Sequence, residues 1–75
     1  MNAKRRKKLS VARDYIVSAR DVISDVADEE QDALDNTPEN LQDTEEWCER
    51  EDALSDLRDI IDDLNVIDGE LSGLL

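Results

Sequence analysis

Seventy-five residues carrying 21 acids and nine bases, a formal net charge of −12, make one strongly acidic domain. One cysteine and no histidine exclude an internal disulfide and a structural zinc site, and no apolar run approaches the ~20 residues of a membrane span. A chain this short buries only about 60% of its unfolded surface, so self-association as a homodimer is the expected way to gain core.

The charge is unevenly divided. Residues 1–20 hold Lys4, Arg5, Arg6, Lys7, Lys8, Arg13 and Arg20 against Asp14, and Arg50 and Arg58 are the only bases beyond them. The basic start could pass for the head of a signal peptide, but Arg13, Asp14, Arg20 and Asp21 interrupt any apolar stretch after it. The expectation is a cytoplasmic protein that does not engage a membrane. Read functionally, Lys4 to Lys8 could touch nucleic acid. Without aromatics or a groove-reading helix they read better as a solubilising arm, or as the partner of an acidic tail. Tyr15 and Trp47 are the only aromatic residues and make no stacking platform for single strands. Direct nucleic-acid binding is not expected.

From about residue 3 to 35, Leu9, Ala12, Ile16, Ala19, Ile23, Val26 and Ala33 recur at helical spacing, widened by Tyr15, Val22 and Leu34. Glu30 stands where an apolar residue is due. This is an amphipathic helix without internal Gly or Pro. Asn36 suits a left-handed helix end, and Thr37-Pro38-Glu39 suits an N-cap, a first-turn Pro and a dipole-complementing acid. A short helical turn is expected over 38–42. Asp43 or Thr44 then caps a second helix, with Glu46 as capping-box partner of Asp43.

Along that helix Leu54, Leu57, Ile61, Leu64 and Leu71 form a seam one heptad on from Trp47, with Ala53, Ile60, Ile67 and Leu74 beside it. Two adjacent apolar rows are wider than a two-stranded seam needs. Asp68 interrupts the seam and Gly69 follows, so fraying is expected there. The fold reading is all-α: an antiparallel two-helix hairpin with a capped, Pro-containing turn, dimerising into a four-helix bundle. It forms one domain over 1–75, with a basic arm 1–8, a first helix 9–35, a turn 36–43, a second helix 44–68 and a fraying tail 69–75. Each arm should be about 45 Å long. Lys7 and Lys8 should lie near Asp68 and Glu70. Trp47 should plug the turn end of the core beside Leu34 and Leu41, with Tyr15 near the other end and its hydroxyl in water. Cys48 reads as a buried or inert thiol. Self-association is assigned to Leu54, Leu57, Ile60, Ile61, Leu64 and Ile67.

The segment Glu29-Glu30-Gln31-Asp32-Ala33-Leu34-Asp35-Asn36-Thr37-Pro38-Glu39-Asn40-Leu41-Gln42 resembles the central motif of small phage- and prophage-encoded helical proteins. These carry E-E-Q-x-A-x-D-N-x-P-E-x-L-Q between two acidic amphipathic helices. The resemblance extends over about residues 9–68, and this chain is richer in Asp than that group. It implies a hairpin fold and a viral or mobile-element source, and it assigns no functional residue.

Glu45, Glu49, Asp52, Asp56, Asp59 and Asp63 follow one another at intervals of four and three. They form a stripe on the second helix opposite its seam, about 27 Å long with neighbours 4.5–6 Å apart along the axis. Like charges at these spacings cost a helix a few tenths of a kcal/mol per pair, and Asp is a poorer helix former than Glu. A face needing only solubility could mix Lys with Glu. The bland alternative is a solvated face in an acid-rich, salt-adapted proteome. The functional expectation is a DNA-mimicking surface that blocks the basic cleft of a host nucleic-acid-binding protein. The alternative function is an assembly adaptor acting through its apolar faces.

Glu45-Glu46-x-x-Glu49 also resembles the first half of the metal-binding motif of all-α nucleotide pyrophosphatases. The required second half would lie on a later helix, whereas here only same-helix Asp pairs follow. Without His, neither Ser10, Ser18 nor Cys48 has the usual activating base. No enzymatic activity, cofactor or metal is expected.

Overall fold

The computed structural model describes all 75 residues: helix α1 (Ala3–Asp35), a single 3-10 turn (Glu39–Leu41) and helix α2 (Glu45–Ser72). The two helices pack antiparallel into a rod with extents of 59 × 14 × 13 Å. The helical spacing, the uninterrupted first half and the turn around Pro38 thus yield the expected hairpin.

The basic stretch is the first two turns of α1. Five bases at a helix start oppose the macrodipole. The Asn2 side chain offsets this as N-cap, accepting the Arg5 N–H at 2.9 Å. All five bases, Lys4 to Lys8, are exposed, and none forms an ion pair. Asp68 is instead paired with Arg13, whose Nε donates to its carboxylate at 2.5 Å. Lys7 and Lys8 stop short of it because Arg13, not they, occupies the α1 row facing Asp68.

The turn reverses the chain without left-handed backbone. Asn36 has φ −88° and ψ 0°, and no residue has positive φ. The orphan carbonyls of α1 are met locally: the Asn36 N–H donates to Asp32 O at 3.0 Å, and the Thr37 N–H to Leu34 O at 3.1 Å. Thr37 serves the helix behind it, its hydroxyl donating to Ala33 O at 3.0 Å, so it does not cap the next turn. Pro38 immediately precedes the 3-10 turn. Thr44 caps α2, its hydroxyl oxygen accepting the Trp47 N–H at 3.2 Å; the Asp43–Glu46 capping box is not used.

The end of α2 does not fray at Asp68. The helix continues through Gly69 to Ser72. Arg13 holds the Asp68 carboxylate, and the Ser72 hydroxyl donates to the Asp68 carbonyl at 2.9 Å.

The seam between the helices follows strict spacings of three and four. On α1 it is Leu9, Arg13, Ile16, Arg20, Ile23, Ala27, Glu30 and Leu34; on α2 it is Trp47, Arg50, Leu54, Leu57, Ile61, Leu64, Asp68 and Leu71. All sixteen are buried or half-buried. Ala12, Ala19, Val26 and Ala33, expected in the α1 stripe, are exposed. The helix turns Arg13 and Arg20 inward in their place because their stems lie along the apolar seam while their heads reach polar partners on α2. Arg20 Nη1 donates to Asn65 Oδ1 at 2.9 Å, and Arg50 Nε donates to Glu30 Oε1 at 2.7 Å. These bridges and Arg13–Asp68 tie the register at both ends of the rod. Only Ala27, Leu34 and Leu54 are buried, with Trp47, Leu57 and Ile61 packed against them.

The Arg13–Asp68 pair makes stability pH-dependent. Arg13's hydrogen bond, helped by its charge and that of Arg20, holds the Asp68 carboxyl below its ordinary 3.8 despite partial burial. A depressed pKa contributes stability that is complete above the ordinary carboxylate value and is lost as pH falls through the lower folded value. Asp68→Asn should therefore flatten the acid loss of stability below about pH 4. Urea unfolding of both proteins across that range measures it; parallel curves would show that the pair contributes nothing.

Candidate interaction surfaces

Two surfaces of the hairpin are left without intramolecular partners. The first is the outer side of α2. Glu45, Glu49, Asp52, Asp56, Asp59 and Asp63 are all exposed there. They form one row, because the heptad positions they occupy lie away from the seam. None of the six accepts a hydrogen bond or joins an ion pair. The bases that could neutralise them are engaged elsewhere. Arg13, Arg20 and Arg50 serve the seam, and Arg58 lies 4.0 Å from Asp28. The row is therefore an uncompensated polyanionic ridge.

The second surface follows from the register. One position back from a seam residue rotates the side chain by 100°. The helices run in opposite directions, so on both of them this rotation leads to the same broad face. On α1 the row is Ala12, Ala19, Val26 and Ala33, bordered by Tyr15 and Val22; on α2 it is Ala53, Ile60, Ile67 and Leu74. Every one is exposed, Tyr15 to 73% and Val22 to 63%. One position forward lies the opposite face. It carries Ser10, Ser24, Gln31, Glu51, Arg58 and Asn65, with the half-buried Val17 as its apolar exception, and the Arg20–Asn65 and Arg58–Asp28 contacts bridge it. The hairpin is thus a ribbon with one polar and one apolar broad face.

The six residues read from sequence as self-association positions divide between two jobs. Leu54 is buried, and Leu57, Ile61 and Leu64 are half-buried in the seam, where they face α1 of the same chain. Ile60 and Ile67 remain exposed at 43% and 40% and belong to the apolar broad face. The α1 half of that face escaped the sequence reading because its residues were assigned to the internal stripe. The signal that separates them is the seven-residue repeat Arg13, Arg20, Ala27, Leu34, matched by Trp47, Leu54, Ile61, Asp68 on α2.

At the turn, Asn36, Thr37, Pro38, Leu41, Thr44, Glu46, Trp47 and Arg50 line a groove of about 400 Å³. Arg50 is already held by Glu30 there. Trp47 packs against the core as expected, its indole Nε1 buried without a hydrogen-bond partner, while Leu41 is 46% exposed. Cys48 is an exposed free thiol rather than a buried one. No three metal-ligating side chains come together, and no helix is long and apolar enough to cross a membrane. No family model matches this chain, and it matches neither a curated protein nor a solved structure.

Proposed function

We propose that this protein acts by binding rather than catalysis, and that its ridge occupies the basic, nucleic-acid-binding cleft of a partner protein in the manner of DNA. The observation that carries the reading is the six-carboxylate row, exposed and unpaired while four of the chain's arginines are engaged elsewhere. A surface merely needing solubility gains from mixed charge; this row forgoes it. Within this proposal the partner is a cytoplasmic protein of a host cell, the setting that the turn segment's resemblance to phage and prophage proteins implies. A nuclease, repair enzyme or defence factor fits the role. Self-association into a four-helix bundle belongs to the same reading.

The apolar broad face favours a second reading, an assembly adaptor whose acids only maintain solubility. Salt separates the two. Complementary charge binds less tightly as ionic strength rises. Raising salt from about 50 to 200 mM should weaken a mimic tenfold or more, as it weakens DNA itself. The experiment captures a partner from host lysate, then measures its affinity at both salts and its displacement by duplex DNA. Affinity that holds across the salt range, with no competition from DNA, overturns mimicry in favour of the adaptor.

A further inference from the structure

We propose that a second copy of this chain docks on the apolar broad face with both turns at the same end, so that α1 of each copy lies on α2 of the other. This rests on the self-association reading and names its surface and orientation. The areas call for a partner. A compact 8.5 kDa monomer exposes about 4,650 Å², whereas this chain exposes 5603 Å². The excess, roughly 950 Å², is close to the ~800 Å² that each side of a standard interface buries. Only three residues are buried within the chain, and Tyr15, Val22, Val26, Ile60, Ile67 and Leu74 stand exposed on the one broad face, the kind of apolar grouping that marks an interaction site.

Charge selects the occupant and its orientation. Tyr15, Val22 and Val26 line the face on α1, in a stretch where its bordering row carries no acid before Glu29. On α2, Ile60, Ile67 and Leu74 are bordered by Asp56, Asp63 and Glu70. Two copies pack face to face about a twofold axis either along the helices or across them. An axis across the helices stacks α2 on α2 and confronts two acid-bordered rows that contain no base. An axis along the helices stacks α1 on α2 instead. Each acid-bordered row then meets an α1 row that is apolar in its middle and basic at Arg5 and Lys8, next to the partner's Glu70. The second arrangement removes that repulsion and leaves Asp52 and Asp59 of each ridge outside, with Asp56 and Asp63 at the rim of the interface.

The test uses the full chain at roughly 200 µM, where mass action favours association. Sedimentation equilibrium should give a dimer. Spin labels on Glu39→Cys in a Cys48→Ser background should then lie within about 30 Å, because helices pack 8–10 Å apart. Val22→Lys should raise the dissociation constant about tenfold or more by burying a charge. Val66→Lys, on the outer side of α2, should leave it unchanged. A monomer overturns self-association altogether. A dimer whose labels lie near the full 59 Å of the rod overturns only the orientation, and one insensitive to Val22→Lys overturns only the face.

Discussion

Leu54→Ala is expected to cost the hairpin about 3 kcal/mol, more than half of the stability that a domain this small starts with. Leucine-to-alanine changes at buried sites cost 2–5 kcal/mol, rising with the cavity that cannot close. Leu54 is 6% exposed and joins Ala27 and Leu34 as one of only three buried residues. It lies in the seam between the two helices, so its loss weakens both at once. A chain this small starts near the lower end of the usual 5–15 kcal/mol of stability. Val66→Ala supplies the contrast. Val66 is 61% exposed and faces away from α1, so removing its branched side chain should be neutral or mildly stabilising through helix propensity. Urea unfolding followed by circular dichroism compares the two. If Leu54→Ala falls within 1 kcal/mol of the parent, the seam is not where the stability resides.

Neutralising the ridge is expected to move stability and binding in opposite directions. Replacing Glu45 and Glu49 with Gln, and Asp52, Asp56, Asp59 and Asp63 with Asn, removes seven like-charge contacts at i,i+3 and i,i+4 spacing, five within the row and those of Glu49 with Glu46 and Asp59 with Asp62. Each is worth a few tenths of a kcal/mol, so the sum approaches 1–2 kcal/mol in favour of the folded state. No hydrogen bond or ion pair is lost, because these carboxylates make none. Under the mimicry reading the same variant loses its partner, with affinity falling at least a hundredfold, since the variant no longer presents the charge that a basic cleft recognises. Unfolding curves and binding isotherms on one preparation read both effects. A variant that gains stability and keeps its partner would transfer the function to the apolar face.

The hairpin itself was legible because its signals are local. An unbroken helical period, a Pro38 flanked by polar residues and a Thr44 cap each act over a few residues. The interior of α1 was only half legible. Its seven-residue rows offer two adjacent seams, one with Ala12, Ala19 and Val26, the other with Arg13, Arg20 and Ala27. Apolar counting prefers the first. The helix buries the second, because the arginine stems are apolar and Asp68 and Asn65 on α2 supply polar company that only the fold brings near. The same blindness made Asp68 look like a break in the α2 seam, when it is a partnered member of it. Lys7 and Lys8 misled for the converse reason: charge attraction alone cannot say which base the register will deliver. The acidic ridge was fully legible, since one helix suffices to align it.

Placing one aromatic side chain beside the turn and the other about halfway along the rod gives the molecule a built-in pair of optical probes. Trp47 lies half-buried beside the turn with its indole nitrogen sequestered, and Tyr15 stands in solvent toward the chain termini. They are separated by about 28 Å along the axis. Indole emission therefore monitors the turn end, and phenol absorbance monitors the middle of the rod and its apolar face. A ligand or second copy that perturbs one chromophore and leaves the other silent declares where along the ribbon it has landed.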